Sequence, residues 1–403
     1  MLKLRRAIVL DAGSPGSGPE QQLVIELDGQ PRPARADVAL VGPAQAGDEV
    51  IVNTEALDLG LGSGGFDIVH VNLSRGLEGG GEDPRGLVGG EDGDSARPSA
   101  APAPPNVMKL NYTSLQHTVE PVEGLGDPAG PAVGVRERPV AVLALHGQLA
   151  AVAWAFAQAF PEGRLGYVQT VGGALPGGHS RTVRSLRERG LLAGHLTAGA
   201  AFGGEGEAIT TIGALDHGLR ALGWNAAICG PGPGIVGSSS PLGHGGMAAL
   251  DSAHAALALG APTLLVARMS SGDPRARHRG ISHHTLTVLD LLLEPVTVAL
   301  PAGMRSPVGA DLRAGLGAVF GGALPSRPAL ELDVERPARI TRHDWRRAVV
   351  DLPAYAAADL PAETMGRALT EDPLFFGAAL AAGATLADLA RDAERARGGG
   401  GGG

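Results

Sequence analysis

The chain has 403 residues, 44% of them hydrophobic, enough for a sizeable core and for two or three domains. Its 63 glycines follow no period of three, which excludes a collagen. A net charge of −9 with only 7 Phe, 3 Tyr and 3 Trp argues against a nucleic-acid partner.

The single cysteine, Cys229, rules out an intrachain disulfide framework and suits a reducing cytoplasm. Lys3 and Lys109 stand beside 31 Arg, the mark of a GC-rich coding bias. The few Lys and Asn that remain therefore stand out, among them Asn53, Asn72, Asn106, Lys109 and Asn111. Ordinary turn and surface roles are the plainer account of them.

In chain order, Met1–Leu10 holds too short an apolar run for a secretory core. Residues 1–75 read as a small β-barrel-like domain. Leu23–Leu27 is a strand ending at the Asp28-Gly29 turn, and Glu49–Asn53 and Phe66–Leu73 are further strands. Residues 76–106 are Gly-, Pro- and acid-rich with almost nothing to bury, a disordered linker or insertion. Residues 107–138 resume with a strand and a connection, on a path back to the β domain.

From Pro139 the rhythm becomes α/β. Apolar runs at 140–145, 165–170, 191–198, 225–229, 263–268 and 296–300 alternate with helical patterns at 148–160, 180–189, 208–222 and 245–259. This predicts a Rossmann-like parallel-sheet domain over 139–300. Val140–Phe160 carries no charge, but His146, Gly147, Gln148 and Gln158 interrupt it. It reads as strand, turn and helix, not as a membrane span. Residues 301–397 form a C-terminal α/β extension, with a strand at 329–334 and a helix ending at 397. Residues 398–403 are a disordered poly-Gly tail.

Parallel sheets place ligands beyond the carboxyl ends of their strands. Five predicted strand ends open into polar or Gly-rich loops, so a composite site is expected there. Gly232, Gly234 and Gly237 have the spacing of a dinucleotide-binding loop. However, Pro233 lies inside it, the next helix starts only near Gly245, and no acidic residue ends a later strand. The loop, with Ser238, reads as an anion- or carbonyl-binding turn, and no cofactor can be named.

The densest constellation is Asp273 to Thr285. Ser282 is a natural N-cap, which puts His283 and His284 in a first helical turn. The positive helix end favours neutral imidazole there, fit for a base or a metal ligand. Arg275, Arg277 and Arg279 upstream point instead to an anion. A metal would take His278, His283 and His284 with Asp273. Neighbours 283 and 284 point about 100° apart on a helix, which makes joint ligation awkward. A purely structural cluster is the third reading. Arg181 sits in an Arg181, Arg184, Arg187 stripe that suits a solvated face, and Cys229 reads as a buried filler.

Several segments together resemble a known family. They are Gly47-Asp48-Glu49-Val50, Leu59–Gly65, Met108–Thr113, Gly172–Pro176, Ser180–Val183, Phe202-Gly203-Gly204, Gly230–Gly237 and His278–Thr285. This set is similar to the bacterial domain of unknown function 3866, found mainly in high-GC Gram-positive bacteria. The resemblance covers most of residues 1–300 and the segment near Met365–Phe376. It implies no activity and no catalytic residues. The family pattern has Thr-Gly-Thr where this chain has Ser238-Ser239-Ser240, and it lacks the acidic insertion.

The sequence thus predicts a cytoplasmic α/β protein that handles a small anionic metabolite. His283, His146 and Glu205 would move protons, and Gly232, Gly234, Gly237, Ser238, Arg279 and Arg181 would bind the ligand. A non-catalytic ligand-sensing or assembly protein and a metal-dependent hydrolase are the alternatives. No nucleic acid and no membrane is expected as partner, and a homo-oligomer is compatible.

Overall fold

The computed structural model describes residues 2–14, 18–60, 65–75, 107–124, 137–238, 240–302 and 337–399. The expected linker at 76–106, the strand at 329–334 and the end of the glycine tail lie outside them. The chain divides into two compact units, Met1–Pro105 with Asn111–Gln116, and Asn106–Leu110 with His117–Gly403.

The first unit is a closed barrel of β1 (Leu4–Ala12), β2 (Glu20–Leu27), β3 (Gln30–Asp37), β4 (Glu49–Asn53) and β5 (Asp67–Asn72). It also carries the one-turn helices α1 (Val38–Val41) and α2 (Glu55–Asp58). The order is β1-β2-β3-β5-β4, and β1 pairs antiparallel with both β2 and β4 to close the ring. Pairing of β3 with β5 is parallel, while the other pairings in the ring are antiparallel. Alternation sends Leu23, Ile25 and Leu27 of β2, and Val50 and Val52 of β4, into one core with Val9. Each such side chain contributes about 1.5–3 kcal/mol on burial. Asp28 and Gly29 both have positive φ, the two-residue type I′ turn expected between twisted strands.

The second unit opens with the hairpin β6 (Val107–Lys109) and β7 (His117–Val119). Lys109 is buried there. Its Nζ donates to the carbonyls of Gly199, Ala201 and Ala208 and pairs with Glu207 at 3.1 Å. This conspicuous lysine is a structural clamp.

An eight-stranded parallel sheet follows. Its strands are β8 (Val140–Val142), β9 (Leu165–Thr170), β10 (Gly194–Ala198), β11 (Gly206–Ala208), β12 (Ala226–Pro231), β13 (Thr263–Leu265), β16 (Thr297–Pro301) and β17 (Asp344–Ala348). The order is β11-β10-β9-β12-β8-β13-β16-β17, and every pairing is parallel. A separate two-residue ladder joins β14 (Met269–Ser270) to β15 (Gly280–Ile281). The central strands β8, β9, β10, β12 and β13 are buried at every residue, which is why they read as largely apolar runs without alternation.

Helices α3 (Leu149–Ala159) and α4 (Arg181–Glu188) connect strands toward β11. Helices α5 (Thr211–Asp216), α6 (Ala248–Ala258) and α7 (His283–Leu291) connect strands toward β17. Right-handed crossovers then put the two sets on opposite faces. Leu149, Phe156, Val183 and Leu186 pack on one side, Leu215, Ala253 and Val288 on the other.

The C-terminal helix, Pro373–Gly399, completes the first face through Phe376, Leu380 and Leu386. A Cβ on Gly383 would stand 2.3 Å from the Val152 carbonyl oxygen, so this helix lies close against α3. Residues 373–397 are long and apolar enough to cross a membrane, but 78% of the most apolar stretch is buried in the core.

The chain leaves β8 toward β9 and leaves β12 toward β13. The carboxyl ends of these central strands are therefore the topological switch point, the usual seat of ligands in such sheets.

Candidate functional site

Loops from β8, β9, β12 and β13 meet at the switch point. A Cβ on Gly173 would fall 2.2 Å from the Gly232 carbonyl oxygen, and one on Gly245 would fall 1.8 Å from that of Gly172. The loops after β9 and β12 thus lie backbone against backbone, which only glycine permits. Gly232 has this packing role, with the Ala174 carbonyl in its Cβ position, while Gly234 makes a positive-φ turn and Gly237 bridges His244. Ser238 is exposed and accepts from the Ser240 N–H. The next helix, α6, begins only at Ala248, away from these glycines.

Four imidazoles gather at the same end. His244 stacks on His284 with ring centroids 3.4 Å apart, and His283 lies 4.2 Å from His284 and 4.9 Å from His278. Ligand nitrogens of His278, His283 and His284 all lie within 4.8 Å of one another. The expected 100° divergence does not keep 283 and 284 apart. Side chains in a first helical turn lean beyond the open N-terminus, where both rings meet. Ser282 is the N-cap, as its sequence position predicts, and its Oγ accepts from His284 N–H. The same Oγ is 2.7 Å from His278 Nδ1.

Positive charge surrounds the rings. Arg268, 4% exposed, donates from Nη1 to His284 Nδ1 at 2.9 Å. Burial first, then nearby arginines, lowers His278 to about 3 and His283 to about 4. Burial and His244 lower His284 to about 2. Burial and the neighbouring arginines thus keep these imidazoles neutral at pH 7.

Asp273 is fully buried and serves as the counter-ion. Arg275 bonds it in a fork at 2.8 and 2.9 Å, and Arg268 and Arg367 each stand 3.6 Å away. Burial alone would raise its pKa, but Arg275 reverses this and holds it well below the usual carboxylate range. Arg367 also pairs with buried Asp372, which accepts from Ser270 Oγ and Ser271 N–H. Asp273 is thus committed to arginines rather than facing the imidazoles.

Among the described residues, three members of this cluster, His244, Arg277 and His283, hold buried side-chain nitrogens without a hydrogen-bond partner. His283 Nε2 and Arg277 Nε are buried with no hydrogen bond, although the Arg277 charge acts on His283. Arg279, chosen from sequence as the anion donor, spends its Nε on the Asp273 carbonyl oxygen.

His146 follows β8 and belongs to a second group. Its Nε2 is 2.8 Å from Ser180 Oγ, and its Nδ1 is 3.3 Å from the Pro231 carbonyl oxygen. The carbonyl can only accept, so Nδ1 carries the proton and Nε2 accepts from the serine hydroxyl. Ser180 caps α4 as well, accepting from Val183 N–H. Burial lowers His146 to about 4.

Glu205 stands elsewhere. It pairs with Arg187 at 2.6 Å and accepts from His195 N–H, at the β10–β11 side of the sheet. Arg181 is exposed at the start of α4. Cys229 is fully buried, and burial pushes its thiol up to about 12, consistent with an inert filler.

Sequence reasoning did not single out His244, Arg268 or Arg367. His244 ends the glycine loop and Arg268 ends an apolar run, so strand-end position was the available signal. For Arg367, distant in the chain, there was none. An open depression of about 400 Å³ lies at the opposite end of the sheet, near Thr263, Thr297 and Asp344. Those residues start their strands, so it sits on the side that sheet topology does not favour.

The model of a family described as a protein of unknown function (DUF3866) matches residues 34–383. The chain belongs to this family. No curated protein and no solved structure matches it. The motif set around Gly172, Gly230 and His278 that carries the DUF3866 resemblance coincides with the loops that meet at the switch point.

Proposed function

We propose that the chain is an enzyme acting on a small anionic metabolite, a phosphate ester or comparable oxyanion, at the carboxyl ends of its parallel strands. One observation carries this reading: Arg277 Nε and His283 Nε2 are buried, unpartnered and in one cationic cluster. Buried polar atoms are nearly always hydrogen-bonded, and an oxyanion can accept from both groups. The cluster adjoins the first turn of α7, where the helix dipole favours negative charge. The hydrogen-bonded pair of Ser180 and His146 supports a chemical rather than a passive role, since a hydroxyl beside an oriented imidazole can exchange its proton.

Phosphate added to chelator-treated protein is expected to raise the melting temperature by linkage. Arg277→Ala removes a charge-assisted hydrogen bond worth about 1.5–3 kcal/mol. That weakens phosphate roughly ten- to a hundredfold. Arg279→Ala should change little, because its Nε is already bonded to the Asp273 carbonyl oxygen. A melting temperature indifferent to phosphate, or an equal rise in Arg277→Ala, would contradict the reading.

A further inference from the structure

We propose that His278, His283 and His284 together hold one divalent transition-metal ion of the zinc class. One ring nitrogen from each lies within 4.8 Å of the other two. Ligand nitrogens about 2.0–2.1 Å from a tetrahedral ion stand roughly 3.4 Å apart, so modest side-chain rotation closes the widest pair. An all-imidazole set suits zinc, cobalt, nickel or copper and does not suit magnesium or calcium.

Each ring can offer one nitrogen to the ion. His278 Nδ1 can donate to Ser282 Oγ at 2.7 Å, which orients the ring and leaves Nε2 for the ion. His283 Nε2 is buried without a partner, on a residue only 5% exposed, and a metal ion would satisfy it. His284 Nδ1 accepts from Arg268. Ligation through its Nε2 would move the ring proton to Nδ1. Arg268 would then turn to the Asp273 carboxylate, 3.6 Å from its other terminal nitrogen. Asp273 stays outside the ligand set because Arg275 already holds it.

Three protein ligands leave a coordination position open, the arrangement of catalytic rather than structural sites. Arg268, Arg275, Arg277 and Arg367 outnumber Asp273 and Asp372 around it. That surplus leads an anion to the open position. In the metal-loaded protein His283 Nε2 serves the ion, so the anion accepts from Arg277 and takes the open position; the ion rests on the imidazoles alone, and its coupling to an anion rests on the function proposed above.

The test titrates cobalt(II) into the full-length chain after chelator treatment. One cobalt per chain is expected, with visible absorption of tetrahedral strength and an X-ray absorption spectrum showing three imidazole nitrogens. His283→Ala and His278→Ala should each weaken cobalt at least about a hundredfold, more than losing an outer-shell partner does. Circular dichroism checks that both variants fold, and the parent's X-ray absorption decides if they do not. Absence of stoichiometric cobalt, an all-oxygen ligand shell, or affinity unchanged in folded variants would overturn the inference. The phosphate-dependent melting shift is read on metal-free protein. Loss of the cobalt result with that shift intact overturns only the metal site. Cobalt bound by three imidazoles with no phosphate effect overturns only the anion reading.

Discussion

Asp273→Ala is expected to cost the second unit about 3–5 kcal/mol, the usual effect of removing one partner of a buried ion pair. The carboxylate is fully buried, the Arg268 side chain is 5% exposed, and Arg367 and Arg275 share the same oxygen. Without it, the Arg268 guanidinium is left in the interior with only a neutral imidazole and a thioether beside it. Asp273→Asn should cost less, because it keeps an oxygen for the Arg275 N–H groups. The pH dependence has a fixed sign. The folded-state pKa lies below the unfolded value, so the pairing stabilises fully above the ordinary carboxylate range. That stability is lost as pH falls through the lowered value. Thermal denaturation from pH 7 downward checks both points. A parent and an Asp273→Ala variant of equal stability at pH 7 would show that the carboxylate is not the counter-ion of Arg268.

Trp224→Ala should be equally damaging, at about 3–5 kcal/mol for a large aromatic removed from a core. Trp224 is fully buried in a slot built by three glycines. A Cβ on Gly166 would lie 2.0 Å from its ring, one on Gly218 2.3 Å and one on Gly194 2.9 Å. Gly166 and Gly194 face each other on β9 and β10, so the indole lies across the sheet where no side chain stands. Gly166→Ala is therefore overpacked, at a cost of about 1–3 kcal/mol or more. Trp224→Leu should relieve that clash. A double-mutant cycle of Gly166→Ala with Trp224→Leu should show coupling well above the few tenths of a kcal/mol typical of independent sites. Simple additivity would mean that the ring does not occupy the slot.

The parallel sheet was legible because its central strands are buried on both faces and so are mostly apolar, although Gln169, His195 and Thr197 are buried among them. β4 and the β2–β3 turn were legible through alternation and the Asp28-Gly29 signal. β3 was not, because Pro31 and Pro33 remove donors and read as breaks. β3 tolerates them because its other edge pairs with β5 only at Ala34 and Arg35. β17 was hidden for a different reason. Its sequence, Asp344-Trp345-Arg346-Arg347-Ala348, is that of an exposed edge strand and carries no apolar run. At the site, the His278–His284 segment was visible because its members are close in sequence. His244, Arg268, Arg367 and Asp372 arrive from other loops, and only the sheet order brings them in. Glu205 was drawn into the expected site by the strand-end rule, but Arg187 holds it at the β10–β11 side.

The most direct test of the anion site is imidazole nitrogen NMR during a phosphate titration of metal-free protein. If the switch-point cluster is the anion seat, the ring signal of His283 moves with saturable phosphate dependence, and that of His278 follows. The ring of His195, stacked on Tyr167 within the sheet, stays in place. Phosphate that leaves His283 unmoved, or that moves His195 and spares the cluster, would contradict the account.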